Sequence, residues 1–307
     1  QGSQGYHTPD QGGAKKSPNT LEEIDLHDTK CYIQYKINQD MRTPLIILFI
    51  MLLAPVLLAQ ESVTEKALSY VGHRGASYLA PENTLASIQL AWELGADGAE
   101  CDVMLTADKK VVVFHDKNTK KLTGENYAIK EAAWEQLKPL VVIPRESNRS
   151  EYSHETIPLL EDLLATIPED RMLVIEIKTG PEILPFLQKV IENHWKSGNI
   201  CFIAFDFETI KQTKVLYPDV PCYYLSMFKA DFNKHLDAVL EANLDGVDLR
   251  HTIIDEKLME QCKASRLDVW CWTVNDPKTA RKMRELGGTA VTTDRPAWVK
   301  GSLQTEI

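Results

Sequence analysis

The chain has 307 residues, of which 44% are hydrophobic and 25% charged, and its formal net charge is −10. That length buries one large core or two small ones. So acidic a chain is a poor general binder of nucleic acid or of an anionic membrane surface, since both reward clustered Lys and Arg.

Residues Gln1–Asp40 lack an initiating Met and any clear periodicity, and are expected to be an upstream segment, either foreign to the protein or disordered. Met41 and Arg42 then precede an apolar run from Leu45 to Ala59, followed by Gln60, Glu61 and Ser62. A short basic start, an apolar stretch and a small residue at its end predict a signal peptide over 41–59. A membrane anchor is the weaker reading. The run falls short of the roughly 20 residues a spanning helix needs, and Pro55 interrupts it. The expected product is exported, periplasmic or secreted, with no stable span after cleavage. Residues 60–307 then match the roughly 250 residues of one (β/α)₈ barrel. Of six cysteines, five follow the apolar run. They form no CxxC pair and no dense framework, so they predict buried packing, neither a zinc site nor a disulfide scaffold.

Short β-branched or aromatic runs alternate with helical patterns from there on. The predicted strands are Tyr70–Gly72, Gly98–Val103, Met172–Ile177, Ile200–Phe205, Cys222–Leu225, Gly246–Leu249, Val269–Val274 and Ala290–Thr293. Helical spacing recurs in Thr84–Leu94, Pro185–His194, Glu208–Leu216, Asp231–Ala242, Asp255–Ala264 and Pro277–Leu286. Such alternation means βα units around a parallel sheet, and eight strands predict closure into a TIM barrel. An open doubly wound sheet is the alternative, weakened by the lack of a Gly-rich dinucleotide turn.

One further strand, Val111–His115, lies about nine residues beyond Asp102, too few for a parallel crossover. A β-hairpin is therefore expected, and pairing Thr106 with Val111 would set His115 opposite Asp102. From Lys117 to Glu155 the pattern weakens, predicting a cap or insertion over the barrel mouth. A helix over Ile157–Ala165 is expected to resume the barrel.

Polar residues gather at the C-terminal strand ends, where barrels of this class place their chemistry. They are His73 and Arg74, Glu100 and Asp102, His115 and Asp116, Glu176 and Lys178, Trp272 and Asn275, and Asp294. Glu100 and Asp102 are two apart on a strand and share a face; Glu176 and Lys178 repeat the spacing. Three carboxylates turned into one mouth repel unless a cation lies between them. All-oxygen ligation suits one Ca²⁺ or Mg²⁺. Arg74 and Lys178 would neutralise phosphate charge, and His73 and His115 form a natural acid and base pair. Singly, each residue has an ordinary structural explanation: a hydrogen-bonded histidine, an ion-paired edge, a core tryptophan. Their conjunction at one barrel face points to chemistry.

The strings His73-Arg74-Gly75, Pro81-Glu82-Asn83-Thr84, Glu100-Cys101-Asp102-Val103 and His115-Asp116 resemble the opening signature of the glycerophosphodiester phosphodiesterase family. Glu176-Ile177-Lys178, Trp272-Thr273-Val274-Asn275 and Thr293-Asp294-Arg295-Pro296 continue it in order, so the resemblance spans Val71 to Val299. It implies a TIM barrel whose metal ligands are Glu100, Asp102 and Glu176. His73 and His115 would be the acid and base, and Arg74, Lys178 and Trp272 would meet the substrate. Glu82, Asn83, Asn275 and Asp294 would support the mouth. Ala204 stands where many relatives have Ser, which bears on substrate fit. The implied reaction is hydrolysis of a small-molecule glycerophosphodiester to an alcohol and sn-glycerol 3-phosphate. A lysophospholipase D or phospholipase C-like activity is the alternative, favoured if Leu137, Leu140, Val141, Val142 and Ile143 form an exposed apolar rim. A binding-only barrel would lack a ligand or a histidine; none is missing.

Overall fold

The computed structural model describes residues 67–144 and 150–304. The expected upstream segment and signal peptide lie outside the described residues, as does part of the insertion. Among the described residues, no helix is long and apolar enough to cross a membrane.

Eight parallel strands close into a barrel. In chain order they are β1 (Ser69–Gly72), β2 (Gly98–Leu105), β4 (Met172–Ile177), β5 (Asn199–Ala204), β6 (Cys222–Ser226), β7 (Gly246–Arg250), β8 (Asp268–Trp272) and β9 (Ala290–Thr293). Strand β1 pairs with both β2 and β9, which closes the ring. The remaining strand, β3 (Val111–Val113), lies antiparallel on the extension of β2. The barrel interior is filled by Val71, Val174, Cys201, Ile203, Tyr223, Leu225, Trp270 and Ala290. The larger apolar layer lies between strands and helices.

Helices cover the outside: α1 (Leu85–Glu93), α4 (Leu160–Leu164), α5 (Leu184–His194), α6 (Phe207–Leu216), α7 (Lys229–Glu241), α8 (Glu256–Ala264), α9 (Pro277–Glu285) and α10 (Pro296–Gln304). Short polar side chains start several of them: Thr84, Asp206, Asp255 and Asp276 each accept a backbone N–H of the first turn. Helix α4 is shorter than the expected Ile157–Ala165. Leu159 is held extended by a bridge to Val112, and its N–H donates to Asp162. Helix α10 was not among the predicted helices, although Pro296 in its first turn is a start signal. The five described cysteines are free and buried, as expected.

The hairpin forms, but its register differs by one residue from the expectation. Leu105, not Thr106, faces Val111. The connection is a three-residue loop. The Lys109 N–H closes a turn on the Thr106 carbonyl, Lys109 takes a left-handed φ of 65°, and the Thr106 N–H donates to the Lys110 carbonyl. Asp102 therefore faces Phe114, whose N–H donates to the Asp102 carbonyl at 2.9 Å, and His115 lies one residue beyond the ladder.

The insertion has its own small core. Met104, Val112 and Phe114 of the hairpin pack with Leu122, Ile129, Leu137, Leu140, Val142 and Ile157. Two one-turn helices, α2 (Lys120–Thr123) and α3 (Trp134–Leu137), belong to it. Of the five apolar residues considered as a rim, Leu137, Leu140 and Val142 are thus buried, while Val141 and Ile143 are exposed.

Candidate active site

The site begins with a strained turn after β1. Arg74 has a φ of 56°, a conformation costly for a side-chain-bearing residue. Gly75, at φ 82°, lies so close to helix α1 that a Cβ would come within 2.3 Å of the Ser87 backbone. The turn aims the Arg74 N–H at Glu100 Oε2, 2.7 Å away. The Arg74 guanidinium donates to Glu82 Oε1 at 2.7 Å, and its Nε lies 3.4 Å from Asp102 Oδ2. Asn83 is also left-handed, at 58°, a conformation Asn adopts more readily than most residues. Its amide grips Asp102 twice: Nδ2 donates to Oδ2 at 2.7 Å, and Oδ1 accepts the Asp102 N–H at 3.0 Å. Glu82 and Asn83 thus hold Arg74 and Asp102 in place.

Alternation along β2 and β4 turns Glu100, Asp102 and Glu176 inward while Cys101 and Val103 join the outer core. One oxygen from each carboxylate lies within 4.8 Å of the other two. Glu100 Oε1 and Asp102 Oδ1 are buried and have no hydrogen-bond partner, a condition that native structures avoid unless something else completes them. Lys178 donates to Glu176 Oε1 at 2.7 Å and stands 3.5 Å from Asp102 Oδ1.

The acids respond differently. Burial, then Asp102 and Glu176, raises Glu100 well above the usual carboxylate range, against the pull of Arg74. Burial and Asp102 push Glu176 up to about 7 despite Lys178. Burial opposes ionisation of Asp102 as well. There the charges of Arg74, Lys178 and His115, with the Asn83 hydrogen bond, prevail and bring it down to about 2. Three carboxylates this close do not all ionise without a cation. The orphaned oxygens and the all-oxygen donor set fit one hard divalent ion.

Each histidine is held by a carboxylate. His73 Nδ1 is 2.6 Å from Asp294 Oδ1, and His115 Nδ1 is 2.6 Å from Asp116 Oδ1. An ionised carboxylate only accepts, so Nδ1 carries the proton in both rings and Nε2 is left for the cavity. Burial lowers the His115 pKa. The charges of Arg74 and Lys178 add to this, while Asp102 and Asp116 oppose it. Asp294 is itself over-determined. It accepts from Ser77 and from Asn275 Nδ2 as well as from His73. Burial opposes its ionisation, but these bonds and the His73 charge lower it to about 2.

These residues meet in one cavity of about 190 Å³, lined by His73, Arg74, Glu100, His115, Glu176, Lys178, Asp248 and Trp272, with Ile203, Phe205, Leu225 and Met227 among its apolar walls. Trp272 stands edge-on to Phe205 at 5.5 Å, and its indole N–H donates to the Asp248 carbonyl oxygen. His73, Arg74, Glu100, His115, Glu176, Lys178 and Trp272 line this cavity; Glu82, Asn83, Asp102 and Asp294 stand behind them through the bonds above, and Asn275 is reached only through Asp294. Ala204 is not at the cavity; it faces the helix layer, and its neighbours Ile203 and Phe205 form the wall. Sequence reasoning placed Asp116 among the strand-end residues without giving it a role, and passed over Ser77 and Asp248. Asp248 lies inside the run Gly246–Leu249, where strand alternation alone would have marked it as inward-facing.

A model of the glycerophosphoryl diester phosphodiesterase family matches residues 73–183 and 178–298. A glycerophosphodiester phosphodiesterase of Caldanaerobacter subterraneus is 29% identical over 231 residues, covering 74% of this chain and 93% of its own. Human lysophospholipase D GDPD1 is 24% identical over 290 residues, covering 83% of this chain and 92% of its own. A solved Oleispira antarctica phosphodiesterase, in complex with the product sn-glycerol-3-phosphate, superposes with a TM-score of 0.71. It is 27% identical, over 77% of this chain and 96% of that one. With the barrel, the strand-end constellation and the family match all spanning the described unit, the chain belongs to the glycerophosphoryl diester phosphodiesterase family.

Proposed function

We propose that the chain hydrolyses glycerophosphodiesters to an alcohol and sn-glycerol 3-phosphate, using one bound divalent cation and two histidines. The observation that carries this reading is the pair of carboxylate-held histidines sharing one cavity with the acidic triad, Arg74 and Lys178. Glu100, Asp102 and Glu176 would hold the ion, Ca²⁺ or Mg²⁺, which when bound polarises a phosphoryl oxygen. Arg74 and Lys178 bind and orient the remaining phosphoryl oxygens. One histidine takes a proton at Nε2 from the nucleophile: water, which gives glycerol 3-phosphate directly, or the neighbouring glycerol hydroxyl, which gives a cyclic phosphate that water then opens. The other, in its doubly protonated form, delivers the proton at Nε2 to the departing alcohol oxygen and keeps the one at Nδ1. Asp294 and Asp116 keep each ring in the tautomer this requires.

The solved relative holding sn-glycerol-3-phosphate supports the product. We further propose that the protein is exported through the segment 41–59, which sequencing of the mature N-terminus in the secreted fraction would test; an uncleaved chain retained in the cell would refute it.

A second reading has a specific observation behind it. Phe205 and Met227, exposed large apolar residues after β5 and β6, line the cavity, the more exposed Phe228 follows Met227 in the chain, and a relative is a lysophospholipase D. This arrangement favours a substrate whose alcohol or glycerol carries an apolar chain.

The test is release of glycerol 3-phosphate from glycerophosphocholine, with Ca²⁺, with Mg²⁺ and with chelator. Metal-dependent release supports the first reading. Release of choline and lysophosphatidic acid from lysophosphatidylcholine, with no turnover of glycerophosphocholine, supports the second, and turnover of neither by folded, metal-bound protein refutes both.

A further inference from the structure

Asp248 is the third residue of β7, and it has no place in the site as described so far. Its side chain is buried at 1% exposure, yet it lines the cavity. Its Oδ1 has no hydrogen-bond partner. The polar contact the residue does make is through its backbone, whose carbonyl accepts from Trp272 Nε1 at 3.2 Å. It stands apart from the triad, whose three oxygens gather within 4.8 Å without it. In the ring of strands, β7 lies across the barrel from β2, which carries Glu100 and Asp102.

Buried carboxyl groups are ordinarily hydrogen-bonded, and one left without a partner marks a place that a ligand completes. The inward neighbours Ile203, Leu225 and Trp272 offer chiefly apolar surface. What enters must therefore bring its own hydrogen-bond donor. The phosphoryl group has Arg74 and Lys178 on the other side of the cavity, and burial, with Glu176, raises the Asp248 carboxyl well above the usual carboxylate range, so it calls for neither a cation nor an anion. A neutral hydroxyl fits. The cavity, about 190 Å³, is small beside the roughly 300–1,000 Å³ of sites for drug-sized ligands. It suits a glycerophosphoryl fragment, not a whole lipid.

We propose that Asp248 is a specificity-determining residue that accepts a hydrogen bond from the terminal hydroxyl of the substrate's glycerol, so that diesters with this hydroxyl free are preferred. The assignment rests on the proposed hydrolysis of glycerophosphodiesters. A site built to pair a substrate hydroxyl discriminates against an analogue that lacks it, since the buried acceptor is then left unpaired.

The experiment compares glycerophosphocholine with the phosphocholine diester of propane-1,2-diol. The latter lacks the terminal hydroxyl but keeps the one beside the phosphoester. Both are given to wild-type protein, Asp248→Asn and Asp248→Ala, with folding checked by melting temperature in the presence of metal. Wild type is expected to favour glycerophosphocholine in kcat/KM by about 5- to 100-fold, the range set by leaving a buried hydrogen-bonding group unpaired. Asp248→Ala brings that ratio close to one, and Asp248→Asn, which keeps an acceptor, retains part of it. A wild type that hydrolyses both equally overturns the assignment alone. So does an Asp248→Ala variant that is slower on both but keeps the wild-type ratio, because a merely structural role acts in that way. A folded wild type that hydrolyses neither overturns the functional reading and this assignment with it.

Discussion

The two halves of the barrel mouth are built on different principles. Around β1, β2 and β4, charged and polar side chains are tied to one another, with Glu100 Oε1 and Asp102 Oδ1 left without partners at the triad: Arg74 bonds Glu82 and Glu100, Asn83 bonds Asp102 twice, Lys178 bonds Glu176, and His73 bonds Asp294. Around β5 to β8 the wall is Ile203, Phe205, Leu225, Met227 and Trp272, with Asp248 as its one unpaired polar side chain. The first half holds charge in fixed positions, which pre-organised electrostatic catalysis requires. The second offers shape and apolar area, which sort substrates by what is attached to the phosphate.

The contrast predicts that variants of the first half change rate and metal binding, while variants of the second change substrate preference. The largest loss is expected for His73→Ala and His115→Ala, each lowering kcat by about 10²- to 10⁴-fold, the range general acid–base groups contribute. Next is Asp102→Asn, which removes charge from the centre of the Arg74, Lys178 and Asn83 network. The rise in melting temperature that Ca²⁺ or Mg²⁺ gives the wild type should vanish in this variant, read by calorimetry with and without chelator. An unchanged metal response would remove Asp102 from the ligand set.

Asp294→Asn should lower kcat by about 10- to 100-fold, as loss of an orienting partner does, with KM nearly unchanged. It also has a stability signature. The Asp294 carboxyl is depressed to about 2 in the folded chain, from 3.8. Its contribution is therefore present above pH 3.8 and is lost as pH falls through about 2. At 30% side-chain exposure, that contribution is on the order of 1–2 kcal/mol. Denaturant melts between pH 5 and 2 should show a shallower acid limb for Asp294→Asn than for wild type. The smallest effect belongs to the apolar half. Phe228, 62% exposed, changed to Ser should raise KM for lysophosphatidylcholine a few-fold while altering glycerophosphocholine turnover less than about two-fold, in keeping with the modest worth of one partly exposed apolar contact. Equal effects on both substrates would break the division between the halves.

How much of this was legible in the sequence follows the same division. His73, Glu100, Asp102, Glu176 and Lys178 stand at strand ends with two-residue spacing, and strand alternation carries them inward without further information. The parallel strands were legible because each is a short β-branched run between helical patterns. His115 was not placed correctly by spacing. A hairpin's register depends on its turn, and the left-handed Lys109 that makes a three-residue loop has no glycine to announce it. For Asp248 alternation gives the inward direction, but that its carboxyl stands without a partner among apolar neighbours depends on tertiary packing, which no local spacing records. The insertion read as patternless because its core is assembled from isolated residues, Leu122, Ile129, Leu137 and Val142, against the outer part of the hairpin. No local period records such packing.

In the proposed mechanism two carboxylate-held histidines act on a phosphodiester bound beside the acidic triad. The most direct measurement is single-turnover release of glycerol 3-phosphate by wild type, His73→Ala and His115→Ala, with metal affinity determined calorimetrically on the same samples. Both variants are expected to bind Ca²⁺ or Mg²⁺ as wild type does and to release product at least about a hundred times more slowly. A variant that binds metal normally and turns over at the wild-type rate would contradict that mechanism.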